Sequence, residues 1–203
     1  IDGSCPNNFT LVRTWTVSDC SGNSDSAVRY VFVSDTTDPV LYGVPADEEQ
    51  CCSNILPPPE VHSSDNCDCP ALYIPPFPDC LPVAYSNTTE PGACAGRYVI
   101  LRRWEVTDSC GNTAYAVQRI QVRDDLAPEF DYPPGDLYVS CDEPIDHPVL
   151  TAQDNCGPVT VDNEIPDERI DGSCMNSYTI VQRWTASDDC GNTVSHQRKI
   201  FVS

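Results

Sequence analysis

The sequence predicts an all-β chain of tandem immunoglobulin-like β-sandwich repeats stapled by disulfides. The first observation behind this is a pattern that occurs three times: a Cys ten positions before a Trp (Cys5 and Trp15, Cys94 and Trp104, Cys174 and Trp184), with Gly-Asn beginning seven positions after that Trp. Fixed offsets repeated in this way mark duplication of one structural unit. The second is period-two alternation around each Trp: Phe9, Leu11, Trp15 and Val17 share one strand face, and Thr10, Val12, Thr14 and Thr16 the other. The third is punctuation. Nineteen Pro and ten Gly in 203 residues leave no room for a long helix.

Taken in order, residues 1–34 are an orphan hairpin, the C-terminal part of an incomplete repeat. A two-stranded hairpin is marginal alone in water, so it needs a partner. Two accounts stay open: the chain is a cut from a longer array, or the hairpin is donated to a neighbouring chain as a complementing strand pair. Residues 35–123 read as a repeat carrying a proline- and cysteine-rich insert between Cys67 and Cys80. It opens on the turn signal Asp35-Thr36-Thr37-Asp38-Pro39, continues with strands near Val40–Val44 and Val61, and closes with the hairpin 97–122. Residues 124–203 read as a second repeat, with strands at 137–141, 149–152 and 159–165 before the hairpin 178–202. Strands at this spacing suit an immunoglobulin-like sandwich.

Thirteen Cys point to an oxidising compartment, hence an extracellular or cell-surface protein. No apolar run reaches membrane-spanning length, and the opening Ile1-Asp2-Gly3 suits a processed chain or a piece of a longer one. The net charge of −20 excludes nucleic acid as a partner, because phosphate would be repelled. All eleven Lys and Arg fall within 1–34, 97–123 or 169–203, whereas 35–96 and 124–168 hold 23 Asp and Glu and no cation. Acidic and basic halves of this kind suit attraction inside a repeat or between chains.

Following strand direction groups the cysteines by pole. If strands run up and down, Cys141 and Cys174 end at one pole of the last repeat, and Cys156 and Cys190 at the other. This predicts Cys141–Cys174 and Cys156–Cys190, and, in the preceding repeat, Cys67–Cys110 and Cys94 with Cys51 or Cys52. Cys69 and Cys80 are expected to staple the insert. Cys5, Cys20 and one of the vicinal pair, with Cys51 the residue left over when Cys52 takes Cys94, then remain for intermolecular or unassigned bonds. Cys20 sits one place earlier relative to its Trp than Cys110 and Cys190 do.

The segments Arg183-Trp184-Thr185-Ala186-Ser187-Asp188-Asp189-Cys190-Gly191-Asn192, Arg103-Trp104-Glu105-Val106-Thr107-Asp108-Ser109-Cys110-Gly111-Asn112 and Thr14-Trp15-Thr16-Val17-Ser18-Asp19-Cys20-Ser21-Gly22-Asn23 resemble the hyalin-type (HYR-like) immunoglobulin-like repeats of large secreted adhesins. The upstream turns Asp65-Asn66-Cys67 and Asp154-Asn155-Cys156 fit the same resemblance. It implies extracellular adhesive or structural arrays without catalysis. The chain departs from it in the insert, the missing front of the first repeat and the shifted Cys20.

Asn8-Phe9-Thr10 and Asn87-Thr88-Thr89 match the N-glycosylation acceptor pattern, making Asn8 and Asn87 the candidate modification sites. The carboxylates Asp35, Asp38, Asp124 and Asp125 at the repeat junctions are candidate calcium ligands, although turn Asp residues ordinarily cap their own backbone. Disulfides are expected to consume the thiols that zinc at Cys51-Cys52 or Cys67-Asp68-Cys69 would need. No nucleophile elbow, phosphate-cradling glycine loop or metalloprotease helix occurs, so no enzyme is expected. Apart from calcium and covalent glycans, no cofactor is expected. The reading is a structural subunit of an extracellular, glycosylated filament or surface appendage, with copies of itself or neighbouring repeats as partners. Its alternative is a cell-surface adhesin whose loops bind carbohydrate or protein.

Overall fold

The computed structural model describes residues 1–69, 80–174 and 176–203. Most of the expected insert, with Pro70, Pro75, Pro76 and Pro78, therefore lies outside the described residues. Among the described residues every regular element is a strand. In chain order these are β1 (Phe9–Ser18), β2 (Ser24–Val33), β3 (Val40–Tyr42), β4 (Glu48–Cys51), β5 (His62–Ser64), β6 (Ala84–Cys94) and β7 (Arg97–Thr107). They continue as β8 (Thr113–Arg123), β9 (Glu129–Phe130), β10 (Leu137–Val139), β11 (Ala152–Gln153), β12 (Val159–Asp171), β13 (Tyr178–Asp188) and β14 (Thr193–Val202).

The sheets repeat one plan. A four-stranded sheet in the order β4-β8-β7-β6 accompanies the pair β3-β5, and a four-stranded sheet in the order β10-β14-β13-β12 accompanies the pair β11-β9. In the second copy β10 runs parallel to β14, while β12, β13 and β14 are antiparallel. The strands β1 and β2 form a two-stranded sheet, with Trp15 opposite Ala27, and Phe9 of β1 also bridges Asp2.

Alternation explains which side chains turn inward. On β13, Gln182, Trp184, Ala186 and Asp188 are buried, and on β8, Gln118, Ile120 and Val122 are. In the last copy Phe130 of β9 and Ala152 of β11 meet Trp184 and Ala186 of β13, with Val159, Val161 and Val194 closing the cluster. Two layers packed through such a core make a β-sandwich. The indole N–H of Trp184 donates to the Pro148 carbonyl at 2.9 Å, so its burial leaves no polar group unpaired.

The central strands also bury polar side chains. Arg198 Nε donates to Gln182 Oε1 at 2.8 Å, and Gln182 Nε2 donates to the Asp146 carbonyl at 2.8 Å. In the other sheet the two residue types exchange strands: Arg102 lies on β7 and Gln118, which donates to the Ala46 carbonyl at 2.9 Å, on β8. Each central hairpin thereby buries one cation and one amide.

The short strands β4 and β9 and the long edge strand β6 carry no alternation to predict them. On β6 only Cys94 is even half-buried. Pro91 is tolerated there because an edge strand need not donate every N–H. The strand β12 extends past the predicted residue 165 to Asp171 by shifting register between Glu164 and Glu168, an irregularity of the β-bulge kind.

The chain divides into two compact units. One comprises Ile1–Glu48, Pro57–Thr88 and Leu101–Arg119, and the other Glu49–Leu56, Thr89–Ile100 and Ile120–Ser203. Each unit draws residues from more than one sequence copy.

The three tryptophans differ in burial. Trp104 and Trp184 are 2% and 0% exposed, whereas Trp15 is 54% exposed. Trp184→Ala is expected to destabilise the chain by about 3–5 kcal/mol, and Trp15→Ala by less than about 0.5 kcal/mol. Denaturant midpoints with the disulfides intact check this.

Candidate functional site

The residues that the repeats hold in common assemble at the joint between one copy and the next. In each hairpin turn an Asp accepts from the Asn four positions on. Asp188 Oδ1 accepts the Asn192 amide at 2.8 Å and Oδ2 accepts Asn192 Nδ2 at 2.8 Å. Asp108 binds Asn112 in the same way at 2.8 and 2.6 Å, and Asp19 binds Asn23 at 2.9 and 2.6 Å. The turn needs a left-handed residue, supplied by Gly22, Gly111 and Gly191 at φ of 86°, 93° and 88°. Burial opposes the charge on Asp108 and Asp188, but the hydrogen bonds from the Asn side chain and the turn amides outweigh it and lower both carboxyls from their ordinary value. At exposed Asp19 the Asn23 side chain is the main cause of the same lowering.

The turn then reaches the linker entering its own copy. Asn192 Nδ2 also donates to the Asp124 carbonyl at 3.3 Å, and Asn112 Nδ2 to the Asp35 carbonyl at 3.4 Å. The upstream turns complete the joint: Asp154 Oδ1 accepts the Cys156 amide at 2.8 Å, and Asp65 Oδ1 accepts the Cys67 and Asp68 amides at 2.7 and 3.0 Å.

The cysteines bond across these joints. Cys94 bonds Cys190, Cys52 bonds Cys156, and Cys5 bonds Cys110, with Cα separations of 5.2, 5.7 and 5.0 Å. Beside the first of these, the Ala95 amide donates to Asp189 Oδ2 at 2.8 Å. Beside the third, Asp68 accepts from the Ser109 amide and Oγ, both at 2.7 Å, and from Asn7 Nδ2 at 2.6 Å. This differs from the predicted pairs Cys141–Cys174, Cys156–Cys190, Cys67–Cys110 and Cys94 with Cys51 or Cys52. The poles bond the opposite pole of another copy rather than themselves, because the turns of one copy lie against the strand-leading Cys of the copy before. The structure joins Cys69 to Cys80. Among the described residues Cys20, Cys51, Cys67, Cys141 and Cys174 are free and exposed.

The candidate calcium ligands separate into two kinds. Asp35 and Asp124 are 8% and 0% exposed, whereas Asp38 and Asp125 are exposed and Asp125 pairs with Arg97 at 3.2 Å. Ligand atoms of Asp124, Asp154 and Cys156 lie within 4.8 Å of one another, as do those of Asp35, Asp65 and Cys67. Asp154 and Asp65 carried no ligand signal in the sequence, where each reads as an ordinary turn cap. Burial raises the Asp124 carboxyl above its ordinary value, and Asp154 and Asp188 add to the rise. Gly96 makes room for it, since a Cβ there would lie 2.7 Å from Asp124 Oδ2.

Of the glycosylation candidates, Asn87 lies exposed on β6. Asn8 is half-buried, and its Nδ2 donates to Ser4 Oγ at 3.1 Å.

No family model matches the chain, and no curated protein matches it in sequence. Among solved structures it is similar to Drosophila N-cadherin EC1-4, at 13% identity and a TM-score of 0.35 over 97% of this chain and 58% of that one. It is also similar to protocadherin gammaB7 EC3-6, at 13% and 0.35 over 97% and 60%, and to protocadherin gamma C5 EC1-3, at 12% and 0.35 over 98% and 78%. At these values the likeness assigns neither family nor function. No helix of the described residues is long and apolar enough to cross a membrane.

Asp188→Ala is expected to cost about 1–3 kcal/mol, because two Asn192 donors lose their acceptor. Gly191→Ala is expected to cost about 1 kcal/mol through its left-handed backbone. Thermal or urea unfolding of the oxidised chain measures both.

Proposed function

We propose that the chain is a non-enzymatic structural part of an extracellular repeat array whose successive β-sandwiches are joined by paired disulfides. The observation that carries this reading is the placement of the free cysteines. Asp35 to Cys52 and Asp124 to Cys141 are each 17 positions apart, so Cys141 is the counterpart of bonded Cys52. By its offset from Trp, Cys174 is the counterpart of bonded Cys94. Cys67 corresponds to bonded Cys156, and Cys20, one place early, to Cys110 and Cys190. Four of the five free thiols are thus open halves of joints that are closed elsewhere in the same chain.

Another repeat of this type completes each joint. Two thiols lose two electrons and two protons to the disulfide of an oxidised dithiol carrier, which leaves as the dithiol. The exposed side chains of the first hairpin, including Leu11, Trp15, Val17, Tyr30 and Phe32, belong to the same account. Strands equivalent to β9–β12, donated by another copy, would cover the face that Trp184 buries in the complete repeat. Asn87 is the better placed glycan acceptor of the two.

A second reading, an adhesin, draws on the exposed rings of Tyr132 and Tyr138, at 91% and 78%, which suit stacking on a carbohydrate. Fibres that assemble without ligand favour the first reading, and saturable binding by the disulfide-blocked monomer favours the second.

Oxidation of the purified chain is expected to give covalent multimers in which Cys141 or Cys174 is linked to Cys20 or Cys67 of another molecule. The double variant Cys141→Ser, Cys174→Ser should stay monomeric on a non-reducing gel. A Cys141–Cys174 bond inside one molecule would overturn the proposal.

A further inference from the structure

We propose that the joint in each unit holds a hard divalent cation of the calcium type, bound between the linker carboxylate and the upstream turn carboxylate: Asp124 with Asp154, and Asp35 with Asp65. The argument starts from unpaired oxygens. Asp124 is fully buried, yet its Oδ2 has no hydrogen-bond partner among the described residues, and the same holds for Oδ2 of Asp154. In the other joint Oδ2 of Asp35 and Oδ2 of Asp65 are unpartnered in the same way, with both residues 8% exposed. A buried carboxylate oxygen without a donor is costly, and two facing each other are more so.

The cost recurs at equivalent positions of two copies. Asp35 to Asp65 and Asp124 to Asp154 are each 30 positions apart, so the arrangement belongs to the repeat design rather than to one local accident. In each pair the ligand atoms lie within 4.8 Å of one another, which suits a single ion bridging both at ordinary oxygen distances. The remaining Oδ1 atoms are engaged in their turns, with the Cys156 amide on Asp154 and the Cys67 and Asp68 amides on Asp65. Each turn carboxylate is therefore held with one oxygen capping the backbone and the other left for the ion.

The third group near each pair is sulfur. Cys156 is consumed by its disulfide, so in that joint the carboxylates alone are left to hold an ion. With two unpartnered carboxylate oxygens as the feature both joints share, an oxygen-seeking ion is favoured over zinc. Such an ion would tie the linker to the turn that carries the joint cysteine.

The inference is independent of whether further copies attach through Cys20, Cys67, Cys141 and Cys174, because both sites lie within the chain itself. Titration of the full oxidised chain with calcium chloride by calorimetry, after chelator treatment, is expected to show two ions per chain with dissociation constants of about 0.1–1 mM. Asp154→Asn keeps an Oδ1 for the Cys156 amide and is expected to lose one of the two ions. Its circular dichroism in chelator should match the parent, and Asp65→Asn should remove the other ion. No calcium binding up to millimolar concentration, or an unchanged number of ions in Asp154→Asn, would overturn it.

Discussion

The structure depends on a bond that leaves one sequence copy and enters the next. Cys94, the residue that leads into a central hairpin, is tied to Cys190, the residue at the tip of a later hairpin, and Cys5 is tied to Cys110 in the same way. Such a bond is useful only if both ends are stiff. The tip is stiffened by Asp188 and Asn192, by Asp108 and Asn112, and by glycines that accept a left-handed backbone. The sequence separations of 105, 104 and 96 residues mean that each of the three joint disulfides removes much chain entropy from the unfolded state. A single loop of about 100 residues is worth about 4.7 kcal/mol in the chain-entropy model. Overlapping loops do not add in full.

That contribution adds to apolar burial. Phe130, Trp184 and Ala186 form one buried cluster, and Ile100, Ile120 and Val122 another, with Cys52 and Ile55 packed against the second. Apolar burial in any small domain leaves only a narrow margin over conformational entropy, so cross-links of this kind count. Cys52 takes part in both kinds of stabilisation, as a disulfide partner of Cys156 and as an apolar contact of its cluster. In the last hairpin the buried Arg198 and Gln182 add a hydrogen bond between β14 and β13 at the expense of apolar area.

Much of the fold was legible in the residues, and the reason is local. The strands that carry Trp104 and Trp184 alternate from Arg102 to Thr107 and from Gln182 to Asp188, and their turns carry Asp, Gly and Asn, which suit the hydrogen bonds and the left-handed backbone there. The joints were not legible, because repetition hides them. When a motif recurs, Cys190 stands in the same relation to Cys156 of its own copy as Cys110 does to Cys67, and spacing alone does not distinguish a partner in the same copy from one in the copy before. Strand direction rightly groups cysteines by pole without saying whether a pole closes on itself. The partners of Asp35 and Asp124 were hidden for another reason: Asp65 and Asp154 perform an ordinary turn function with one oxygen, which masks the other. The edge strand β6 was hidden because an exposed strand has no inward face to pattern.

Disulfide mapping of the oxidised chain by proteolysis and mass spectrometry, without reduction, tests the central claim most directly. Peptides joining Cys94 to Cys190 and Cys52 to Cys156 are the expected result. A peptide joining Cys156 to Cys190 would show that each repeat closes on itself and would contradict the account.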